Sequence, residues 1–560
     1  MSQSLSSTKQ IFDAIVVGSG ATGGWAAKEL TEAGLLVCLL EAGRNLNPEK
    51  DFTEHMAPYQ IKYRGQSPEM KKTRPIQSKC YACMEWNYDW WVNDHDNPYT
   101  TAPNRPYDWF RLRVVGGRSR VWARQSYRFS DLDFKAASRD GYGQDWPISY
   151  ADLAPYYDKV EEYIGVSGQA EGKSQLPDGK FLPPMKMTCG EVMLKEVAEK
   201  KFGRTLTISR TATLTKPLNG RAPCHYCGPC ERGCQTNSYF NGSITVAAAQ
   251  ATGNLTLLTD SIAHQVLIDP KTGKAKGVSY IDRETRAPRE VLGKVVVLCA
   301  QAQESTRILF NSATPQYPGG LGNSSEALGH YLMDHLKDCG ATGELPMLKP
   351  EPWHGPPQRP TSVHLLRFRN VTEQNQKFLR GYGLYGRSGG DYNFSSGKIG
   401  KEYKQAVKDG VYKISLDGYA ECLPRWDNYC EPDKNVVDAW GIPVLRFHAS
   451  FGDNEYAARE DIVVSAAEML QAVGAVNIHP YKKLAVMGNA NHDVGSARMG
   501  NDPRTSVLNS WNQVHDVKNV FVTDGASFVT SPYQNPTLTM MALTVRACDY
   551  LVEQFKRGLL

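Results

Sequence analysis

The chain predicts an α/β fold, α+β overall, organised around a discontinuous dinucleotide-binding unit. Three observations predict it. Residues 13–41 run in the order strand, glycine turn, helix, strand, acid; strand patterns recur around 255–300; and the segment after residue 490 returns to glycine-rich turns and a closing helix. At 560 residues the chain exceeds one ordinary core, and no repeat or long linker divides it, so intertwined units are expected.

The first element is Asp-Ala-Ile-Val-Val at 13–17, β-branched, apolar and ended by glycine, which predicts a buried parallel strand. Gly18-Ser-Gly20-Ala-Thr-Gly23 follows, then a helical stretch from Trp25 and a second apolar run, 35–40, ending at Glu41. Gly18 allows the tight turn, Gly20 lets the backbone approach a pyrophosphate, and Gly23 permits close helix–strand packing. The helix N-terminus favours phosphate through its unpaired N–H groups and its dipole. Glu41 arrives where a carboxylate accepts ribose hydroxyls, and Glu41-Ala-Gly-Arg leans towards FAD rather than NAD.

Cys224, Cys227, Cys230 and Cys234 form a C-x2-C-x2-C-x3-C run, the spacing that suits thiolate ligation of an iron–sulfur cluster. Zinc favours cysteine pairs parted by a longer loop, and disulfides need an oxidising compartment. Three thiolates would hold [3Fe–4S] and a fourth would complete [4Fe–4S]; the spacing leaves both open. Of the thirteen cysteines, Cys38, Cys299 and Cys548 sit in apolar segments and read as buried thiols. Cys80 and Cys83 make a separate C-x2-C whose reading stays open between a redox pair, a disulfide and no role.

Near the end stand His492-Asp-Val-Gly-Ser-Ala-Arg-Met-Gly500, Val520-Phe-Val-Thr-Asp524-Gly525 and Asn535-Pro-Thr537. With the opening motif these resemble the glucose–methanol–choline (GMC) oxidoreductases over nearly the whole chain. The resemblance implies a second, substrate-binding domain on an antiparallel sheet. It also implies that His492 is the catalytic base and Asn535 its partner, both facing the flavin, with Asp524, Gly525 and Thr537 in the segment that closes over FAD. Gly116-Gly117-Arg-Ser119-Arg-Val-Trp122 is similar to the family's flavin loop, and the stretch 145–157 to one typical of its sugar-oxidising branch. Val121 stands where pyranose oxidases carry the histidine that bonds FAD covalently, so FAD is expected to be non-covalent. An imidazole near its ordinary pKa suits removal of a hydroxyl proton while hydride leaves carbon, and an amide donor can orient the substrate oxygen. His515 lacks such a context.

The cysteine run within this framework resembles the large subunits of bacterial membrane-linked sugar dehydrogenases, the gluconate and glucoside 3-dehydrogenase branch. That resemblance implies a small partner subunit carrying the export signal, a cytochrome c or quinone acceptor, and a periplasmic location. The N-terminal residues alone lack a signal peptide and point to cytoplasm. The expected activity is oxidation of a secondary alcohol of a sugar or glycoside, at C3 of glucosides first and at C2 of gluconate or glucose next. An oxygen-using, pyranose oxidase-like enzyme is the other alternative.

The expected organisation is a first FAD-binding segment at 1–125, a cap segment at 126–204, and a second FAD-binding segment at 205–344 that includes the cysteine segment at 220–240. A substrate domain follows at 345–484, and a third FAD-binding segment at 485–560 closes the chain. The substrate stretch carries Trp353, His364, Tyr382, Tyr385, Arg387, Asp391, Tyr392, Trp426 and Trp440, residue types that suit a sugar, although none is assigned a contact. A net charge of +5 spread along the chain speaks against nucleic acid, and no apolar run is long enough to span a bilayer.

Overall fold

The computed structural model describes residues 10–560 apart from 62, 64–66, 229, 351–358, 376, 393–395 and 484–485. Trp353 and its Pro-rich segment, 351–358, therefore lie outside the described residues.

The strand Ile11–Val17 lies at the centre of a seven-stranded sheet. It pairs in parallel with Val37–Leu40 on one side and with Pro288–Leu298 on the other. Leu255–Leu258 extends the sheet beyond Val37–Leu40, and Val520–Val522 joins Pro288–Leu298, both in parallel. Strands covered on both faces read as unbroken apolar runs, which is the pattern of 14–17, 37–40 and 295–298. Ser261–Ile268 and Ala275–Asp282 complete the sheet as an antiparallel edge. The sheet thus draws its strands from three distant regions of the chain.

The helix Ala21–Glu32 begins directly after Gly20, four residues before the apolar periodicity predicts. Its first turn therefore faces the tight turn at Gly18, whose φ of 92° suits glycine. A Cβ on Gly23 would stand 1.7 Å from the Gly18 carbonyl oxygen, so only glycine lets helix and turn approach this closely. The final helix, Thr537–Lys556, packs across Ala21–Glu32 and Tyr150–Ile164.

The second sheet has six strands and is antiparallel throughout. Tyr382–Asp391 and Val411–Ala420 form its centre, and the long helix Asp453–Ala472 covers one face. Leu206–Ile208 and Cys339–Glu344 belong to this sheet although both fall within 205–344, the stretch expected to serve the nucleotide unit. One apolar cluster runs from Val17 to Leu416, so the two sheets share a core. Among the described residues no helix is long and apolar enough to cross a membrane.

Candidate functional site

A cavity of about 270 Å³ opens between the two sheets, and both ends of the chain contribute to it. At one end lie Gly18, Gly20 and Glu41; at the other lie His492, Asn535 and Tyr419. A Cβ on Gly20 would meet nothing within 4 Å, so the backbone there faces open space that a ligand can enter. Glu41 is buried and accepts from the Ser19 amide at 3.1 Å, the Ser19 hydroxyl at 2.5 Å and the Gly43 amide at 2.9 Å. Burial pushes its pKa up, opposed by these hydrogen bonds and by Arg113. A carboxylate has about four acceptor sites, so capacity remains for a ribose hydroxyl.

Gly117 and Ser119 line the cavity, whereas Gly116 and Gly23 are absent from its wall and pack against Arg120 and the Gly18 carbonyl respectively. Gly116 takes a φ of 98° and starts the short turn Gly117–Arg120. The Ser119 hydroxyl donates to the Gly116 carbonyl at 2.5 Å and accepts from the Gly242 amide at 2.8 Å, joining this loop to the helix Gly242–Ala251. Asp524 caps its own turn by accepting from the Ala526 amide at 3.0 Å, and takes the Ser305 hydroxyl at 2.5 Å; burial pushes it up to about 6. Gly525 and Thr537 also line the wall, and Thr537 opens the final helix, so that N-terminus faces the cavity. An open glycine backbone, a helix N-terminus and a carboxylate after the second strand together fit a dinucleotide such as FAD.

At the other end the donors and acceptors converge on His492. Asn535 Nδ2 lies 3.0 Å from His492 Nε2, and the Tyr385 hydroxyl donates to Asn535 Oδ1 at 2.5 Å. His492 Nδ1 lies 2.8 Å from His335 Nδ1, and His335 Nε2 lies 2.7 Å from the Pro532 carbonyl. Burial lowers the His492 pKa well below its ordinary value, helped by His335, Lys337 and Arg118. Burial likewise takes His335 down to about 4. Both rings are therefore neutral at neutral pH, leaving a lone pair available. Behind them Asp334 accepts from the His492 amide at 3.1 Å and the Ala490 amide at 3.0 Å; burial and then Asp493 push it up to about 7.

No sequence motif assigns His335 or Asp334, or gives Tyr385 a role at the site. His335 and Asp334 sit in an apolar run, Leu332-Met-Asp-His-Leu, where their polarity is the available signal. The other sugar-suited residues scatter. Tyr382 is fully buried with its hydroxyl on Asp461 and Ser465, and Trp440 donates to the Arg283 carbonyl at 3.0 Å. His364 is buried between Tyr127 and Tyr385, Trp426 stacks on His330, and Asp391 pairs with Lys413. His515 contacts Ser506 and is absent from the cavity wall.

The cysteine run forms a partly exposed loop. Backbone amides donate to two of its sulfurs, Tyr226 to Cys224 at 3.4 Å and Ser238 to Cys234 at 3.3 Å. Burial raises the Cys224 and Cys227 thiols and pushes Cys230 up to about 11. Among the described residues, however, no three His, Cys, Asp or Glu side chains are gathered so as to hold a metal ion. The ligand set expected at Cys224, Cys227, Cys230 and Cys234 is thus not assembled. The thiol donors suit the chemistry, while their geometry does not show it.

The loop nonetheless adjoins the cavity wall. Asn87 donates to the carbonyls of Ala82, which lines the cavity, and Glu231, which lies in the loop, at 2.9 Å each. Arg124 also lines the cavity; burial opposes its charge, but Cys230 and Glu231 raise its pKa overall. Cys80 lines the cavity 3.6 Å from the Asn491 amide nitrogen, and it forms no disulfide with Cys83.

Comparison with known proteins gives a consistent picture. Residues 12–337 and 427–544 match the N- and C-terminal regions of the family described as GMC oxidoreductase. The chain is 30% identical to 2-methyl-1,2-propanediol dehydrogenase of Mycolicibacterium austroafricanum, covering 97% of this chain and 95% of that one. It is 27% identical to the fructose dehydrogenase large subunit of Gluconobacter japonicus, covering 98% of each. Among solved structures, formate oxidase superimposes with a TM-score of 0.62 at 14% identity, over 99% of this chain and 100% of that one, a likeness of fold alone.

Proposed function

Because this chain belongs to the GMC oxidoreductase family, whose members bind FAD, we propose that it is a dehydrogenase for a secondary alcohol of a sugar, glycoside or related polyol. The observation that carries this reading is the His492–Asn535 pair at one end of a cavity whose other end is a dinucleotide cradle. FAD, when bound, supplies the hydride acceptor. His492 takes the hydroxyl proton; burial keeps its ring neutral with a lone pair to offer, at a pKa well below the ordinary value its residue type suggests. Asn535 orients the substrate oxygen through its amide N–H, held by Tyr385 so that the donor faces inward. Gly18, Gly20, Glu41, Gly117 and Ser119 hold the cofactor, and Thr537 brings the final helix to it. Binding is non-covalent, supported by Val121 in the cavity wall, which has no nucleophile to offer.

Within this class C3 of glucosides is the first substrate and C2 of gluconate or glucose the second. The names of the two relatives that span the chain, a diol dehydrogenase and a fructose dehydrogenase, support a polyhydroxylated substrate. We further propose that Cys224, Cys227, Cys230 and Cys234 bind an iron–sulfur cluster when loaded, a group that would accept single electrons. The cysteine spacing, the N–H···S bonds and the loop's position one layer from the cavity support this. A cytochrome c or quinone would be the acceptor. The large-subunit name of one relative supports a small partner subunit; export to the periplasm with that subunit is part of the same proposal.

The test is iron and acid-labile sulfide analysis on anaerobically purified protein, with visible spectra before and after glucosides, gluconate, glucose and short diols. Flavin bands that bleach with a sugar, together with iron and matching sulfide, are expected. Bleaching with oxygen uptake and no iron after cluster reconstitution would replace this reading by an oxidase.

A further inference from the structure

Four side chains and one carbonyl form a line of hydrogen bonds whose direction can be deduced. The Pro532 carbonyl can only accept, so His335 Nε2, 2.7 Å away, carries a proton. His335 is 1% exposed, and burial keeps its ring neutral, so its Nδ1 is a lone pair. The nitrogen facing that lone pair at 2.8 Å, His492 Nδ1, must then be the donor. A neutral imidazole has one N–H, which leaves His492 Nε2 as the basic nitrogen, its lone pair taken in this structure by the Asn535 amide that a substrate hydroxyl would displace. Asn535 agrees from the other side. Its Oδ1 takes the Tyr385 hydroxyl, so its Nδ2 points a donor at His492 Nε2. The rings of His335 and His492 meet edge to face at 77°, with centroids 4.8 Å apart. Pro532 and Asn535 belong to one loop, so the line leaves and rejoins the segment that bears the substrate-orienting amide before it ends on Tyr385.

We propose that His335 is a positioning residue that fixes the tautomer of His492, presenting the Nε2 lone pair to the substrate hydroxyl and bonding Nδ1–H when the ring becomes an imidazolium. The proposal rests on the reading of His492 as base. The hydroxyl proton ends on His492 Nε2, hydride leaves for the cofactor, and the Nδ1–H···Nδ1 bond strengthens as its donor gains charge. The charged and titratable groups facing His492 are Asp334 under its amide, Asp493, Lys337, Arg118, Tyr419 and, through Asn535, Tyr385. None of their side chains accepts from His492 Nδ1 among the bonds found; that position belongs to His335.

The experiment uses FAD-loaded His335→Leu and His335→Gln, with His492→Ala as reference. Leu removes the acceptor; Gln can accept from His492 Nδ1 through its oxygen and donate to Pro532 through its nitrogen. Anaerobic stopped-flow reduction by the best sugar should fall about a hundredfold or more in the Leu variant, as a misplaced tautomer does elsewhere. FAD content and substrate dissociation constant should stay near wild type, and the Gln variant should recover most of the rate. The acid limb of the pH–rate profile should move in Leu and return in Gln. A second readout does not depend on turnover. Long-range 1H–15N spectra of 15N-histidine-labelled wild type should place His492 as the Nδ1–H tautomer and His335 as Nε2–H, each assigned by its missing signals in a variant. An Nε2–H tautomer for His492, or equal rates in Leu and wild type, overturns the proposal. Undiminished reduction by His492→Ala would instead overturn the assignment of the base, while the tautomer spectra would still decide the role of His335.

Discussion

Tyr385→Phe removes the hydroxyl that orients Asn535 and that also meets the Tyr127 hydroxyl. The ring packs edge-on against Tyr419 at 5.0 Å and tilted against His364 at 4.7 Å, contacts that phenylalanine keeps. Only the hydroxyl is lost, and with it the donor to Asn535 Oδ1 at 2.5 Å. Asn535 is 9% exposed, so water cannot readily replace that donor. Leaving a buried acceptor unpaired costs about 1–3 kcal/mol. The amide can avoid the cost only by rotating, which would turn its oxygen towards the His492 Nε2 lone pair, acceptor against acceptor. If about 1–2 kcal/mol of this orientation is lost from the transition state, reduction slows about 5- to 30-fold, at 1.36 kcal/mol per tenfold. The assay is anaerobic stopped-flow bleaching of the FAD-loaded enzyme across a sugar concentration series, which separates the limiting rate constant from binding. Loss is expected in the rate constant, with FAD content unchanged. A limiting rate equal to wild type would refute the argument, because Asn535 would then not depend on Tyr385 for its orientation.

Glu41→Gln leaves one acceptor oxygen where two now take Ser19 and Gly43, so titration of apoprotein should show FAD bound about 5- to 150-fold more weakly, from about 1–3 kcal/mol of lost pairing; unchanged affinity would exclude Glu41 from the cradle. Glu304 opposes its own burial through Arg307, Arg113 and Arg111, which hold it down to about 2. Its Gln variant should unfold in urea with about 3–5 kcal/mol less stability at pH 7, since buried guanidinium charge is left uncompensated. Because the folded pKa is depressed, this contribution is present above about 4.5 and lost as pH falls towards about 2; the gap between the two proteins should close over that window. A constant gap would rule out the electrostatic origin. Cys227→Ser should lower iron content and slow reduction of an external acceptor while sugar-dependent flavin bleaching stays within about twofold of wild type. Acceptor reduction at the wild-type rate would remove the cysteine loop from the electron path.

The nucleotide end of the site was legible in the sequence because its determinants are local. Gly18, Gly20, Gly23 and Glu41 lie within one strand–helix–strand unit, where backbone pairing and the glycine turn set the geometry. The structure extended the first strand back to Ile11, began the second at Val37, and moved the helix start from the apolar periodicity at Trp25 to Ala21, where the glycine turn ends. His492 and Asn535 were legible from their motifs, although neither motif says which nitrogen of His492 is free. The domain edges were less so. Leu206–Ile208 and Cys339–Glu344 look like any short strand, and only partners far along the chain assign them to the antiparallel sheet.

By itself the sequence determined the family, the dinucleotide cradle and the identity of the two residues facing the cavity's other end. Tertiary structure alone decided what surrounds them. His335 reaches His492 across 157 residues and Tyr385 reaches Asn535 across 150, separations at which neither periodicity nor spacing carries a signal. The same holds for the cysteine run: its spacing names a donor set, but the direction of each thiol depends on how the loop packs against Asn87, Arg124 and Tyr239. Local geometry follows from the order of residues, whereas a proton's position on an imidazole follows from which atoms the folded chain brings within hydrogen-bonding distance.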